Sequence, residues 1–243
     1  MQNYCTFGVN MEILYEDNHL IAVNKNCHEL VQGDKSGDVS LIEMLKDYLK
    51  TKYNKPGNVF LGSPHRIDRP ATGVVLFAKT SKMLTRMCDL FQHKDEQIDK
   101  IYWAIVKNRP PQNQGRLEHF LKKNEQQNKS YVVAANEADK HIKKAILEYQ
   151  VIAQSDNYYL LQIKLHTGRH HQIRCQLAHI GCPIKGDLKY GFARSNADGS
   201  ICLHARQISF IHPVSKQPIC IVAPTPQDNL WQAFTEKVAS TRQ

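Results

Sequence analysis

The sequence predicts an α+β fold in one domain, and three observations support that prediction. Short apolar segments of strand length dominate the 243-residue chain and often follow one another directly. Helical patterns occur among them at irregular intervals, which is not the regular alternation of strand and helix found in parallel α/β sheets. No internal repeat or linker-like stretch divides the chain, and its length suffices for one large core.

The first third of the chain predicts a strand pair, a helix, a buried strand and a second helix. The segment MEILYEDNHLIAVNK predicts two strands joined by a polar turn, the second ending near Val23. Ser40 and Glu43 form a capping-box pattern, and apolar residues at helical spacing predict a helix over 41–52. Positions 74–78 are all apolar and predict a strand buried on both faces. The next segment, SKMLTRMCDLFQ, predicts an amphipathic helix.

The rest of the chain adds strands and two helices. The segments KIYWAIVKN, AILEYQVIAQ and YYLLQIKLHT predict strands. The charged stretch 122–145 predicts an exposed excursion with one short strand at 131–134. Apolar residues spaced i, i+4, i+7 after Arg169 predict a helix that ends near 180. Two strands then follow in CLHARQISFIHP and QPICIVAP, before a final helix with Thr225 as N-cap and Pro226 and Asp228 in its first turn.

Charge is the most informative property of the composition. Thirty-two Lys and Arg against 23 Asp and Glu give a formal net charge of +9. This balance favours a polyanionic partner, because Lys and Arg release counterions when they neutralise phosphates. Charge alone does not separate RNA from DNA, or either from a merely basic soluble surface.

The sequence shows no feature of a membrane protein, a secreted protein, or a protein stabilised by zinc or disulfides. No apolar run approaches the roughly 20 residues of a membrane helix, and the start MQNYCTFGVN does not resemble a secretory signal. We therefore expect a cytoplasmic protein. The seven cysteines show no C-x-x-C spacing, so reduced and mostly buried thiols are expected instead of a zinc ribbon or a disulfide framework.

The stretch SPHRIDRPATGVVLFAKT contains the first candidate for catalysis. Asp68 lies between Arg66 and Arg69, just before the predicted buried strand. Opposite charge favours the ionised form of a carboxyl group. An ionised Asp on a loop braced by a strand can act as a nucleophile or a base. A surface ion pair with one of the arginines is the alternative at this point.

A second cluster occupies LHTGRHHQIRCQLAHIGCPIKGDLKYG. Four basic residues crowd the start of the predicted helix there: Arg169, His170, His171 and Arg174. Backbone N–H groups at a helix N-terminus already favour anions, which makes this end suitable for phosphate. The nearby histidines do not indicate a metal, because the H-E-x-x-H arrangement is missing and no acidic residue follows before Asp187. The glycine-rich part lacks the G-K-[ST] ending of a P-loop.

Together these segments resemble the RluA-type pseudouridine synthases. The stretch HRIDRPATGVVLFAKT is similar to the family's motif around H-R-[LI]-D-R, and KIYWAIV is similar to K-x-Y-x-A-x-V. The stretch RHHQIRCQLAHIGCPIKGDLKYG resembles the family's R-x-H-Q-I-R and G-x-P-I-x-G-D-x-x-Y-G motifs. With ILYEDNHLIAVNK and LHARQISFIHP, the resemblance covers roughly 11–225 in the family's order.

The resemblance implies a reaction and a role for three residues. Asp68 would be the nucleophile, Arg174 would pair with its carboxylate, and Tyr102 would lie near the uracil as a candidate base for the C5 proton. Such enzymes break the N1–C1′ bond of a uridine in RNA, rotate the base and rejoin it through C5, with no cofactor or metal. Whether Asp68 attacks C1′ or C6, or removes a C2′ proton, stays open. The implied fold is a mixed, mostly antiparallel sheet flanked by helices, with an active cleft across its middle.

The implied partner is ribosomal or transfer RNA, bound by a monomer with no membrane or DNA partner. The target uridine must leave its stack at a cost of a few kcal/mol, which a rim of phosphate contacts can offset. Arg66 and Arg69 are the candidates to contact RNA or to hold the flipped conformation open. Arg169 and His170 are further candidates for phosphate.

Two departures from the family pattern and two rival functions complete these expectations. The family commonly has K-P-x-G-[LM] after its second strand, where this chain has KNCHEL, so a changed loop is expected at the cleft edge. Residues 1–10 are predicted to form an arm, and 11–243 a single catalytic domain without an S4 RNA-binding domain. The rivals are a catalytically silent RNA-binding protein of the same fold and a metal-dependent nuclease. The intact Asp68, Tyr102 and Arg174 disfavour the first, and the missing acidic cluster disfavours the second.

Overall fold

The computed structural model describes residues 3–6, 9–92, 97–136 and 139–240. The helices are α1 (Leu41–Lys52), α2 (Ser81–Gln92), α3 (Gln172–His179) and α4 (Asn229–Ser240). The strands are β1 (Asn3–Thr6), β2 (Val9–Glu16), β3 (Leu20–Lys25), β4 (Thr72–Ala78), β5 (Ile98–Val106), β6 (Gln114–Asn124), β7 (Lys129–Val133), β8 (Ile142–Gln154), β9 (Tyr159–Leu165), β10 (Leu203–Ile211) and β11 (Pro218–Val222). This mixture confirms the predicted α+β class.

Backbone contacts group the chain into two compact units. The first unit comprises Met1–Asp99 and Ala205–Pro224, and the second comprises Lys100–His204 and Thr225–Gln243. The predicted arm lies in the first unit, where β1 pairs with β2 in antiparallel fashion.

The first unit is built on the strand order β1-β2-β3-β4-β10, with β11 paired to β10. Every residue of β4 is buried, as its unbroken apolar sequence predicts. Helix α1 begins and ends where the sequence predicts, and Ser40 and Glu43 form the reciprocal capping box. Its apolar face, including Leu45 and Leu49, packs against β3 and β4 residues such as Val75 in one core.

The second unit has the strand order β5-β9-β8-β6-β7, and each neighbouring pair is antiparallel. The prediction for the charged stretch 122–145 was confirmed in part, because most of its described residues are exposed and β7 overlaps the predicted strand at 131–134. Strands β6 and β7 form a hairpin across it, and β8 begins at Ile142. In β6, Leu117, His119 and Leu121 alternate with the mostly charged residues Arg116, Glu118, Phe120 and Lys122, and β8 pairs with Gln114–Lys122. Successive side chains of a strand point to opposite faces. The charged residues on the outer face of β6 obscured this alternation in the sequence.

The last helix begins later than predicted. Thr225 is not its N-cap, because α4 starts only at Asn229. The carboxylate of Asp228 accepts hydrogen bonds from the backbone N–H groups of Leu230 and Trp231, both at 3.0 Å. Asp228 therefore caps the helix, while the Thr225 hydroxyl lies 3.1 Å from that of Thr235.

Two further expectations concern the cysteines and the membrane. Where the structure describes cysteines they are free, with Cys175, Cys182 and Cys202 buried and Cys220 exposed. Within the described part of the chain, no helix is both long and apolar enough to cross a bilayer.

Candidate active site

The predicted site residues are divided between the two units. Asp68, Arg66 and Arg69 belong to the first unit, while Tyr102, Arg169, His170 and Arg174 belong to the second. Each group is supported by contacts inside its own unit, and these contacts are what fix its geometry.

The loop that carries Asp68 is held by a buried lysine. Asp68 is half-buried, and its backbone carbonyl accepts a hydrogen bond from the N–H of Ala71 at 3.0 Å, which closes a turn before β4. The ammonium group of Lys25 donates to the carbonyl oxygens of Arg69 at 3.0 Å and Ala71 at 2.7 Å. A third bond runs to the carbonyl of Asn26 at 2.8 Å. The backbone on the C-terminal side of Asp68 is thus tied to the end of β3.

Lys25 is 1% exposed, which is unusual for a lysine. Burial lowers its pKa to about 8, although the charges of Glu29 and Asp68 oppose that shift. The three carbonyls satisfy all three of its N–H donors while it is protonated.

Arg69 is also a structural part of this loop. Its Nε donates to the carbonyl of His28 at 3.1 Å, and its Nη2 pairs with the carboxylate of Asp38 at 2.5 Å. In return, the backbone N–H of His28 donates to the carbonyl of Arg69 at 3.0 Å. The departing segment KNCHEL therefore contacts the residue next to Asp68, and the Arg69 guanidinium is paired with Asp38. Arg66 is exposed.

Two other residues of the HRIDRPATG stretch, His65 and Gly73, have structural roles. The Nε2 atom of His65 accepts a hydrogen bond from the N–H of Leu76 at 3.0 Å, and its ring stacks on Phe91 with centroids 4.6 Å apart. Gly73 has φ of +111°, and a Cβ there would lie 2.3 Å from the carbonyl oxygen of Ala205. Only glycine fits this backbone conformation and this close approach.

Tyr102 lies in β5 and is half-buried. Its register partner on β9 is Ile163. The next residue, Trp103, is 4% exposed and points to the opposite face of the strand. Tyr102 is therefore fixed on one face of a strand whose other face is packed in the core.

Arg174 is the most constrained of the predicted residues. It lies in α3, is 5% exposed and forms a bidentate ion pair with Asp187, which is 1% exposed. The Nε–Oδ2 distance is 2.7 Å and the Nη2–Oδ1 distance is 2.8 Å. Such a fork fixes both the position and the plane of the guanidinium.

Tyr190 supports this ion pair from one side. The centre of its ring lies 5.1 Å from the Arg174 guanidinium carbon, within the range of a cation–π contact. Its hydroxyl accepts from the backbone N–H of Ser130 at 2.8 Å and lies 3.1 Å from His171 Nδ1. Burial raises the pKa of Tyr190, so the hydroxyl stays protonated at neutral pH. The stretch GDLKYG thus supplies two partners for the arginine of HQIR.

The two weaker phosphate candidates are engaged in different ways. Arg169 is exposed, and its Nε donates to the carbonyl of Lys144 at 2.9 Å. His170 Nδ1 lies 2.9 Å from the hydroxyl of Ser130, and its Nε2 lies 3.1 Å from Asn128 Oδ1. His170 therefore ties the β6–β7 hairpin to the start of α3.

Some of the supporting residues were not predicted from the sequence. Lys25 ends an ordinary strand pattern, and nothing in the local sequence distinguishes it from an exposed lysine. Asp187 lies in the G-x-P-I-x-G-D-x-x-Y-G motif, but the sequence assigned it no role. Across the described residues, no group of three or more His, Cys, Asp or Glu side chains is arranged to hold a metal ion.

Comparison with known proteins gives a consistent assignment. Residues 19–179 match the family model of RNA pseudouridylate synthases. The tRNA pseudouridine synthase C of Haemophilus influenzae is 32% identical over 243 residues, covering 91% of this chain and 95% of the relative. The ribosomal large subunit pseudouridine synthase C of Buchnera aphidicola is 33% identical over 229 residues, covering 91% and 69%.

A solved structure shows the same fold. Human RNA Pseudouridylate Synthase Domain Containing 4 superposes with a TM-score of 0.76 at 22% identity, over 93% of each chain. The implied pseudouridine synthase fold is therefore confirmed, and the chain belongs to the RNA pseudouridylate synthase family.

Proposed function

We propose that this chain isomerises uridine to pseudouridine in transfer RNA, with Asp68 as its nucleophile. The observation that carries the assignment of Asp68 is the fixed loop around it. Lys25, buried and bonded to three carbonyls, holds the backbone beside Asp68 in place. A displacement of about 1 Å can cost a reacting group about a hundredfold in rate, and this loop holds Asp68 against such a displacement.

Arg174 and Tyr102 complete the proposed chemistry. Asp187 fixes the Arg174 guanidinium through Nε and Nη2, and we assign Arg174 to the Asp68 carboxylate as its partner in the reaction. Tyr102 is assigned to the uracil as the base for the C5 proton. In the net reaction the N1–C1′ bond breaks, a C5–C1′ bond forms, and a proton leaves C5 while N1 gains one. No oxidant, reductant or cofactor is needed for that balance.

Transfer RNA is the favoured substrate because of how the relatives match. Relatives named tRNA pseudouridine synthase C from Haemophilus influenzae and Pasteurella multocida are covered over 95% and 93% of their length. The ribosomal large subunit enzymes of Buchnera aphidicola and Zymomonas mobilis are covered over only 69% and 71%. The tRNA pseudouridine synthase C of Pectobacterium carotovorum is an exception, with 60% of its length covered. For the Haemophilus influenzae and Pasteurella multocida enzymes the match extends over more of the relative than it does for the ribosomal enzymes. We further assign the chain to the cytoplasm as a monomer with no DNA partner.

The silent RNA-binding alternative is disfavoured by the cost of the site. A protein that only binds RNA has no use for a buried Arg174–Asp187 pair, which requires two charges to be taken out of water. A basic exposed surface would suffice for binding.

The test is to incubate the purified chain with unmodified transfer RNA and ribosomal RNA transcripts in separate reactions containing EDTA. Pseudouridine is then measured in the nucleosides released by nuclease digestion. We expect pseudouridine in the transfer RNA pool alone. Formation only in ribosomal RNA would overturn the substrate assignment, and no pseudouridine in either pool would overturn the proposed function.

A further inference from the structure

The end of α1 carries a basic cluster that the proposed catalytic residues do not use. Its sequence, KTKYNKPG, places lysines on both sides of Tyr53. The ring of Tyr53 has three ammonium groups near it, with distances from the ring centre of 5.4 Å for Lys52, 5.9 Å for Lys55 and 4.9 Å for Lys79. Tyr53 is 47% exposed and the Lys52 side chain is 32% exposed, whereas the Lys79 side chain is 9% exposed, so only part of this positive charge lies at the surface of the first unit. We call these four residues the Tyr53 cluster.

One carboxylate holds three members of the Tyr53 cluster in place. Glu16 pairs with Lys52 at 2.7 Å and with Lys79 at 3.0 Å. The same carboxylate accepts a hydrogen bond from the Tyr53 hydroxyl at 2.7 Å. Since Glu16 bonds two lysines and the tyrosine together, the arrangement exists before any ligand arrives. A preformed array of cations binds an anion without the cost of ordering its side chains.

The cluster has more positive than negative charge. Three ammonium groups are near the ring, and Glu16 is the carboxylate that contacts two of them. The neighbouring carboxylate of Asp17 is bonded instead to the Tyr15 hydroxyl and to backbone N–H groups. The cluster therefore carries an excess of positive charge, which favours an anion nearby.

Helix stabilisation accounts for only part of this arrangement. Lysines in the last turn of α1 interact favourably with its C-terminal dipole, and Lys52 does so. Lys55 lies beyond the helix, where its backbone N–H donates to the carbonyl of Lys50 at 3.0 Å. That bond fixes the backbone of Lys55, while its side chain extends over the exposed Tyr53 ring.

The cluster is remote from the nucleophile. Asp68 precedes β4, and Lys79 follows it directly. Seven residues of strand span about 20 Å at roughly 3.3 Å per residue. A ligand at the Tyr53 cluster therefore cannot be the target uridine itself.

We propose that the Tyr53 cluster binds a backbone phosphate of the substrate RNA several nucleotides away from the target uridine, or on a neighbouring stem. This inference rests on the proposed function for the identity of the polyanion. The chemistry is that of a cationic groove with an aromatic side chain, which follows a nucleic-acid backbone without reading its sequence. The contact would add affinity and extend the footprint of the enzyme beyond the flipped nucleotide.

The test compares Lys55→Gln with wild type in binding to unmodified transfer RNA transcripts over a series of salt concentrations. Lys55 is suitable because its contact with the cluster is made by its charge over the ring, so its removal leaves the Glu16 bonds in place. We expect weaker binding at 0.1 M salt. The slope of log K against log salt concentration should be smaller in magnitude by about one. Lys55→Arg should restore both values, since it restores the charge.

Lys107→Gln is the matched control, because it removes one charge from an exposed lysine of the second unit. An unchanged salt slope in Lys55→Gln, or an equal loss in Lys107→Gln, would overturn the proposal. The result is separate from the proposed function. If the wild type formed no pseudouridine, the enzyme assignment would be rejected. The proposal for the Tyr53 cluster would still stand if Lys55→Gln lowered the salt dependence of RNA binding by about one unit.

Discussion

The regions around Lys25 and Arg174 both bury a cation, but they use it differently. In the first unit, Lys25 bonds to neutral backbone carbonyls and fixes the chain that carries Asp68. In the second unit, Arg174 is paired with the buried carboxylate of Asp187, and the side chain that is fixed is the arginine itself. A lysine among carbonyls is able to lose its proton, whereas an arginine paired with a carboxylate keeps its charge. One region therefore positions a backbone, and the other positions a charge.

The largest effect is expected from breaking the buried ion pair. Arg174→Ala leaves Asp187 buried without its partner and should lower the free energy of unfolding by about 3–5 kcal/mol. Denaturant unfolding of wild type and variant measures this difference. Arg116→Ala is the control, because the Arg116–Glu148 pair is exposed on both sides and its loss should cost less than about 1 kcal/mol. Similar losses in the two variants would show that burial of the pair does not matter.

A double variant separates stability from catalysis in the same region. Replacing both partners, as in Arg174→Met with Asp187→Leu, removes the unpaired charge and should recover most of the lost stability. Pseudouridine formation should remain absent, since the guanidinium is gone. An active double variant would contradict the catalytic role of Arg174.

The second largest effect is expected at Lys25. Lys25→Met leaves carbonyl acceptors of the Asp68 loop without their donor and should cost about 3 kcal/mol of unfolding free energy. Misplacement of Asp68 should lower kcat by about a hundredfold. Unchanged kcat in a folded Lys25→Met variant would contradict the positioning role of this lysine.

The buried Lys25 should make the free energy of unfolding depend on pH, whereas Arg174 should not. The folded chain releases the Lys25 proton near pH 8, because burial lowers its pKa, while an exposed lysine keeps it to about pH 10.4. Between those values the unfolded chain binds more protons, so stability rises with pH. The wild-type free energy of unfolding, measured relative to that of Lys25→Met, should increase by up to about 3 kcal/mol over this range. A flat difference would mean that Lys25 keeps its proton in the folded state.

A smaller effect is expected at Glu16, which is less buried than either cation. Burial raises the pKa of Glu16, but hydrogen bonds from Lys52, Tyr53 and Lys79 outweigh it and lower the pKa to about 2. Its stabilising contribution is therefore complete above the ordinary carboxyl pKa and is lost as pH falls toward 2. Glu16→Gln should remove about 2 kcal/mol of that acid-dependent stability, as measured by unfolding at pH 3 and pH 6. An unaltered acid dependence would exclude this ion-pair cluster as its source.

The smallest effect is expected at the exposed Arg69–Asp38 pair. Their side chains are 42% and 53% exposed, and such pairs contribute less than about 1 kcal/mol. Asp38→Asn should therefore leave the unfolding free energy nearly unchanged and release the Arg69 guanidinium for other anions. A loss of more than about 2 kcal/mol would show that the loop around His28 depends on this contact, in contrast to ordinary surface pairs.

The sequence predicted well where local rules decide the structure. The capping box at Ser40, the apolar run of β4 and the helical spacing of α2 each depend on a few neighbouring residues, and all were confirmed. The strand β6 was missed because its outward positions are charged, and only pairing with β8 reveals its inner face. Asp228 replaced Thr225 as the N-cap because residues 225–228 are not helical and α4 begins only at Asn229.

The candidate site was predicted through its motifs, whereas its supports were not. Asp68, Tyr102 and Arg174 could be named because their residue types recur in a known pattern. Lys25 and Asp187 lie 44 and 13 positions from Arg69 and Arg174, their respective partners. Contacts at such separations follow from the packing of strands and helices, which no local spacing records. The pairing of Arg174 with Asp68 stays a prediction.

The most direct measurement uses transfer RNA transcripts labelled with tritium at uracil C5, incubated with wild type and with Asp68→Ala. Formation of a C5–C1′ bond must release that tritium to water. We predict release by wild type in the presence of EDTA and none by Asp68→Ala, with RNA binding and its salt dependence retained in the variant. Release by a correctly folded Asp68→Ala chain would contradict the assignment of Asp68 as the nucleophile.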